Sequence, residues 1–175
     1  MELFERILNA LFSIVIMGLG LGLLVCVIPL GIIGWDFHWF PLEIGAFRFM
    51  GLAPIALGVV TMMGSIWRWI LSATGSPLPL DLPKELIVRG SYRIVRNPMY
   101  VGYLVILFGE ILLFKSSALL LYLLTVFVIL HAFVVFVEEP MLKLKFGESY
   151  EQYRKSVPRW IPRLKAFREN IPRSS

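Results

Sequence analysis

The sequence predicts one all-α integral membrane domain over residues 1–175, with about four transmembrane helices. Three observations support this fold class. The chain is 58% hydrophobic with a mean hydropathy of +0.77, which is too apolar for an ordinary soluble domain. Its apolar runs are long enough to cross a bilayer. It also lacks the alternation of strand and helix patterns that could build a Rossmann domain.

The predicted spans cover about residues 7–33, 47–73, 99–114 and 118–137. The first run exceeds a signal-peptide core and has no obvious cleavage site, so we expect it to be retained as a helix. Within it, Gly18 and Gly22 have the spacing of a close helix-packing motif. Only Lys115-Ser116-Ser117 separates the last two runs, which predicts an antiparallel hairpin. We expect the fourth span to end at Glu138-Glu139-Pro140.

Basic residues indicate how the chain is oriented. The loop 34–45 contains two tryptophans and no Lys or Arg, whereas segments 74–97 and 141–175 carry most of the basic residues. By the positive-inside rule, both termini are expected in the cytoplasm, at the plasma membrane if the host is prokaryotic. Arg48 and Arg68 are expected to snorkel from the ends of the second span. The net charge of +5 suits anionic lipids, and no base-reading motif predicts a nucleic-acid partner.

The tail after the hairpin has a helical pattern of its own. Phe146, Tyr150, Tyr153 and Val157 recur at helical spacing between charged residues. This pattern predicts an amphipathic helix that lies on the membrane or closes over a site. The segment Pro158-Arg159-Trp160-Ile161-Pro162 is expected to end this helix as an interfacial anchor.

The hairpin brings two polar groups of residues to the same depth. One group, at the start of the third span, contains Arg96, Asn97 and Tyr100, and the other contains Glu138 and Glu139. A helix start beside arginines stabilises a carboxylate or phosphate. Two carboxylates at the negative end of a helix are unfavourable unless a cation or several hydrogen-bond donors accompany them. A zwitterion such as S-adenosylmethionine suits both halves, and so do a phospholipid headgroup or an internal salt bridge between Arg96 and a glutamate.

Asn97 has a structural interpretation beside the functional one. Asn is a favoured N-cap residue, and Pro98 is favoured at the first helical position that follows. The pair therefore explains a helix start without any ligand. No metal site is predicted.

An ordered set of motifs in the second half of the chain carries a family resemblance. The motifs are Gly90-Ser91-Tyr92-Arg93, Val95-Arg96-Asn97-Pro98-Met99-Tyr100-Val101-Gly102, Gly109, Glu138-Glu139-Pro140-Met141-Leu142, Phe146-Gly147-Glu148-Ser149-Tyr150, Tyr153 and Val157-Pro158. In this order they resemble the integral membrane isoprenylcysteine carboxyl methyltransferase and phospholipid methyltransferase family. The resemblance covers about residues 83–162.

The resemblance implies a methyltransferase that uses S-adenosylmethionine to methylate a lipophilic acceptor at the membrane–cytoplasm boundary. The acceptor would resemble an isoprenylcysteine carboxylate or a phospholipid amine. A cytoplasmic loop and the tail helix would form the site. The implied cofactor-binding residues are Tyr92, Arg96, Asn97, Pro98, Tyr100, Gly102, Glu138 and Glu139. Of these, Arg96, Asn97 and Glu139 are the candidate catalytic residues. Candidate substrate residues are His131, Tyr150 and Arg154.

One departure from the family pattern concerns the acceptor. Many members carry His where this chain has Asn97, and Asn cannot exchange a proton near neutral pH. A carboxylate acceptor needs no proton removed, whereas an amine would need a carboxylate or water as base. The alternative class is a non-enzymatic membrane protein that binds lipid, or a small transporter subunit or scaffold. A transporter would be expected to show charges or broken helices at mid-bilayer in repeated halves, which this chain does not show.

Overall fold

The computed structural model describes Gly20 and residues 23–34, 45–72 and 86–163. All regular secondary structure within these ranges is helical, so the all-α prediction is confirmed for them. Helix α1 spans Leu23–Gly34 and opens with a π-helical turn, Leu23–Val27. Gly18, Gly22 and the aromatic loop before Gly45 lie outside the described residues.

Three further helices follow α1 before the π turn that leads to the tail helix. A 3-10 segment, Gly45–Gly51, leads into α2, Leu52–Ser72. Helix α3 spans Pro98–Phe114 and α4 spans Ser117–Phe133.

The turn between α3 and α4 confirms the predicted hairpin. Lys115 ends α3 in the left-handed conformation with φ 55°. The Ser116 hydroxyl then caps α4 by accepting a hydrogen bond from Leu119 N at 3.3 Å.

The expected helix end at Glu138-Glu139-Pro140 is wrong. Helix α4 continues through a π-helical turn, Val134–Glu138, into α5, Glu139–Ser156. Pro140 cannot donate to the preceding turn of this continuous helix, and the π turn just before it accommodates the missing hydrogen bond. Both glutamates therefore lie within a continuous helical run, away from the negative end of a helix dipole. The regular geometry is interrupted later, at Gly147, with φ 54° and ψ −125°.

Glycines set the contact between α2 and α3. Gly51 faces Gly109, and Gly58 faces Gly102, so the two helices run antiparallel with matched seven-residue spacing. A Cβ added at Gly58 would lie 2.5 Å from the Gly102 carbonyl oxygen. The backbones are therefore too close for any side chain at these positions, and this contact fixes where α3 begins.

Apolar surface indicates membrane association. Two helical stretches in the described part of the chain, Gly45–Arg68 and Ser117–Ser156, are long and apolar enough to cross a bilayer, while α1 and α3 are shorter apolar helices. Large apolar side chains such as Val60 and Val128 are exposed on these helices. The four-span topology stays a prediction.

The tail helix packs against the chain segment that precedes α3. Tyr150, Tyr153 and Val157 form a small buried cluster with Val88, flanked by Phe146. The patterned face of α5 is thus covered by protein at this end. A role for α5 at the membrane surface stays a prediction.

Candidate functional site

The approach to α3 is a 3-10 turn, Gly90–Arg93, anchored on the end of α2. Gly90 has a φ of 58°, and the Arg68 guanidinium occupies the space that a Cβ would need there. The hydroxyls of Ser65 and Ser91 lie 3.2 Å apart, and Ser65 is fully buried. Arg68, which was expected to snorkel, therefore packs against this turn and helps to position the residues that follow it.

A buried carboxylate held by two arginines forms the centre of the site. Arg96 donates from Nη1 to Glu139 Oε1 at 2.8 Å. Arg159 donates from Nε to Oε1 at 2.6 Å and from Nη2 to Oε2 at 2.9 Å. The Glu139 side chain is only 9% exposed, and its hydrogen bonds raise the pKa of the Arg159 guanidinium above the usual value. The internal salt bridge that the sequence left open is present, together with a second arginine that forms the bidentate contact.

Arg159 belongs to a chain segment that we call the C-terminal strap, Pro158–Arg163. Its backbone is bonded to the loop before α3, since Arg96 N donates to Pro158 O at 2.9 Å and Arg163 N donates to Ile94 O at 3.0 Å. The strap therefore closes over the start of α3. This role differs from the interfacial anchor predicted for the segment.

Asn97 takes the N-cap position of α3, but its side chain makes no capping hydrogen bond. Its amide Nδ2 donates instead to the Arg159 carbonyl oxygen at 3.2 Å. The predicted N-cap position of Asn97 is confirmed, but its side chain does not cap the helix because the amide is turned toward the strap. Pro98 does occupy the first turn of α3, as predicted.

Two polar atoms beside the ion pairs remain unused. Arg96 Nε and Glu138 Oε2 are both buried and have no hydrogen-bond partner within the described residues. Arg96 and Glu138 both act electrostatically on the Tyr150 hydroxyl, so the unused donor and the unused acceptor lie near the same tyrosine. Buried polar atoms of this kind carry a desolvation cost unless a ligand or water satisfies them.

Two tyrosines flank the Glu138 carboxylate, of which only Oε2 is without a partner. The Tyr100 hydroxyl interacts with Glu138. Burial raises the pKa of the Tyr92 phenol well above its usual range, and the charge of Glu138 adds to this effect. Tyr92 therefore stays neutral at physiological pH, and its backbone carbonyl accepts a 2.7 Å hydrogen bond from the Tyr153 hydroxyl.

The remaining residues that the sequence predicted for the site lie in four different environments. Tyr150 is buried and interacts with the Arg96 guanidinium. His131 accepts a 3.0 Å hydrogen bond from the Trp160 indole at its Nδ1 and stacks on that ring, so it holds the strap. Arg154 pairs with Glu151 at 3.1 Å and is 44% exposed. Gly102 lies in the α2–α3 contact, facing Gly58.

Sequence reasoning did not assign Arg159 to the site. It sits in a tryptophan- and proline-flanked segment twenty residues beyond Glu139, with no helical spacing that links the two. One feature of the sequence could have indicated a second cation. Two adjacent glutamates carry more negative charge than Arg96 alone can balance.

The fold and the site define an all-helical, membrane-associated protein whose buried charges gather where the hairpin, its approach loop and the strap meet. Residues 47–149 match the family model described as phospholipid methyltransferase, which is more than half of the chain. The chain belongs to this family. No solved structure matches the chain.

A curated relative is similar over part of the chain. It is the protein-S-isoprenylcysteine O-methyltransferase of Schizosaccharomyces pombe, 40% identical over 78 residues. The matched segment covers 44% of this chain and 33% of that relative. The chain therefore spans about a third of the length of the relative.

Proposed function

We propose that this protein is an S-adenosylmethionine-dependent methyltransferase that acts on a lipophilic acceptor at the membrane–cytoplasm boundary. Family membership and the similarity to the S. pombe O-methyltransferase support the reaction class. The single observation that carries the cofactor assignment is the unused pair Arg96 Nε and Glu138 Oε2. An unused donor and an unused acceptor near the same tyrosine fit the carboxylate and the ammonium of an amino acid.

The residues divide the work of binding between them. Arg96 would hold the carboxylate of the methionine portion through its free Nε. Glu138 would take the ammonium or a ribose hydroxyl. Tyr100, next to Glu138, would present its ring to the sulfonium as a cation–π partner. Glu139, occupied by two arginines, would orient Arg96 rather than touch the cofactor.

Bound S-adenosylmethionine supplies an electrophilic methyl group on a positively charged sulfur. The protein's contribution would be to position the acceptor in line with that methyl group and to exclude water. The strap supports this by covering the start of α3, since Asn97 and Arg96 are bonded to it.

We favour an acceptor that needs no base. Asn97 donates to the strap and cannot accept a proton near neutral pH. A carboxylate, like that of an isoprenylcysteine, attacks without prior deprotonation, and the S. pombe relative is named as an O-methyltransferase. A phospholipid amine remains the second acceptor class, with the unpartnered Oε2 of Glu138 to act as base.

The membrane arrangement is part of the proposal. Four spans with both termini in the cytoplasm would put the Arg96–Glu139 pair at the inner surface, where the cofactor is available. A lipophilic acceptor would then enter sideways from the bilayer, beside α4 and the strap.

Calorimetric titration of the detergent-purified protein with S-adenosylhomocysteine tests this function. We expect saturable binding by the wild type and its loss in Arg96→Ala. That change removes the guanidinium that would donate to the carboxylate of the ligand. Lys155→Ala is the control, since Lys155 is an exposed cation in the last turn of α5. Absence of binding by a folded wild type would contradict the proposal and favour a lipid-binding protein.

A further inference from the structure

Glu139 receives more positive charge than one carboxylate needs. Arg159 alone occupies both of its oxygens, through Nε and Nη2, in the bidentate geometry that arginine forms with carboxylates. Arg96 adds a third hydrogen bond through one terminal nitrogen, Nη1. Arg96 therefore makes a single hydrogen bond to Glu139 and keeps its Nε unused.

We infer that Arg159 is a positioning residue, which saturates Glu139 from the strap so that Arg96 keeps a free Nε for the carboxylate of the cofactor. This inference rests on the proposed function and assigns a role to a residue outside the motif Arg96-Asn97-Pro98. Arg159 itself would act through Glu139 and Arg96, without touching the ligand.

The energetic reason lies in the burial of Glu139. Its side chain is 9% exposed, and an uncompensated carboxylate at such a site is costly. In the described part of the chain, Arg96 and Arg159 are the two cations paired with it. If Arg159 were lost, the best remaining compensation would be a bidentate contact from Arg96. That contact would consume the nitrogen that the ligand requires.

The strap fixes Arg159 in register with Arg96. The Pro158 carbonyl accepts from Arg96 N, and the Arg159 carbonyl accepts from the Asn97 amide. The Trp160 indole bonded to His131 attaches the same segment to α4. These contacts hold the Arg159 guanidinium against Glu139 before any ligand binds, so the free Nε is prepared in advance.

The test compares two ligands in the full-length protein. S-adenosylhomocysteine carries the amino-acid carboxylate, and 5′-methylthioadenosine lacks it. Arg159→Gln should weaken S-adenosylhomocysteine binding by about tenfold to a hundredfold, the usual effect of losing a charge-assisted hydrogen bond. Binding of 5′-methylthioadenosine, measured by competition, should change by less than about twofold on the same scale.

A second variant separates positioning from simple structural support. Glu139→Gln/Arg159→Gln removes the Glu139 carboxylate that would capture Arg96, so S-adenosylhomocysteine affinity should recover from that of Arg159→Gln toward that of the wild type. Lys155→Ala controls for the loss of an exposed positive charge. Thermal unfolding in detergent verifies that each variant is folded.

Three results would overturn the inference while leaving the proposed function intact. They are unchanged S-adenosylhomocysteine affinity in Arg159→Gln, an equal loss for both ligands, and no recovery in the double variant. Failure of the wild type to bind S-adenosylhomocysteine would instead contradict the proposed function itself.

Discussion

At the scale of single residues, two adjacent glutamates have different environments. Glu139 is neutralised by Arg96 and Arg159, whereas Glu138 keeps one buried oxygen without a partner. Successive helical residues point about 100° apart, so one can face the strap while its neighbour faces the tyrosines. The sequence alone gives no reason to assign the two glutamates different roles. Their contacts in the structure distinguish them.

This difference predicts the effect of removing only the charge of Glu138. Glu138→Gln keeps the shape and one acceptor oxygen but loses the charge that would hold an ammonium. We expect S-adenosylhomocysteine affinity to fall by about tenfold to a hundredfold, as for one charge-assisted hydrogen bond, with the fold retained. Titration calorimetry measures the affinity. An affinity equal to that of the wild type would remove Glu138 from the proposed site.

At the scale of the elements, glycine contacts between α2 and α3 hold the site in place. The pairs Gly51 with Gly109 and Gly58 with Gly102 bring the two backbones together without intervening side chains. Small residues of this kind permit close helix packing in membranes, where the hydrophobic effect does not drive helices together. The start of α3, and with it Arg96, is thereby positioned against the turn that Arg68 supports.

Gly58→Ala tests this contact. Its Cβ would meet the Gly102 carbonyl and the Ile106 backbone nitrogen at 2.5 and 2.9 Å, so the helices must separate. We expect a loss of about 1–3 kcal/mol, seen as a lower midpoint of thermal unfolding in detergent.

Gly31→Ala in α1 is the matched control for Gly58→Ala. A Cβ at Gly31 meets no atom within 4 Å, and alanine has the higher helix propensity. We expect its unfolding midpoint to stay the same or to rise. Equal midpoints for the two variants would mean that the α2–α3 contact does not depend on its glycines.

At the scale of the whole molecule, exposed apolar surface extends along α2 and α4 and reaches the strap at Ile161, whereas the ion pairs of the site are largely buried. Apolar side chains on α2 and α4, such as Val60 and Val128, are exposed, whereas the ion pairs lie where the hairpin, the approach loop and the strap meet. In a bilayer, lipid would cover the first region and water or cofactor would reach the second. This arrangement suits an enzyme that combines a lipophilic acceptor with a polar donor.

Cysteine labelling tests the proposed orientation. In a Cys26→Ser background, Lys115→Cys would place a thiol in the α3–α4 turn and Lys155→Cys would place one near the end of α5. We expect a membrane-impermeant maleimide to label the first in intact cells and the second only in inside-out vesicles. Labelling of both from one side would contradict the four-span topology with cytoplasmic termini.

The helical class and the hairpin could be predicted from sequence because both depend on local properties. Apolar runs of sufficient length must satisfy their backbone groups internally, and a connection of only three residues, Lys115-Ser116-Ser117, must reverse the chain. The polar residues at the two open ends of the hairpin therefore had to meet, and Arg96 does contact Glu139 at 2.8 Å. The expected helix end at Pro140 failed because the π turn before it lets the helix continue.

By itself, the sequence determined the apolar helices, their antiparallel pairing and the residue types that gather at the open end. Only the tertiary structure decided which partner each of those residues has. The capture of Glu139 by Arg159, the turn of Asn97 toward the strap and the glycine contacts between α2 and α3 all join segments distant along the chain. Such contacts form only between groups that packing brings within bonding distance. The spacing of residues along the sequence does not encode that distance.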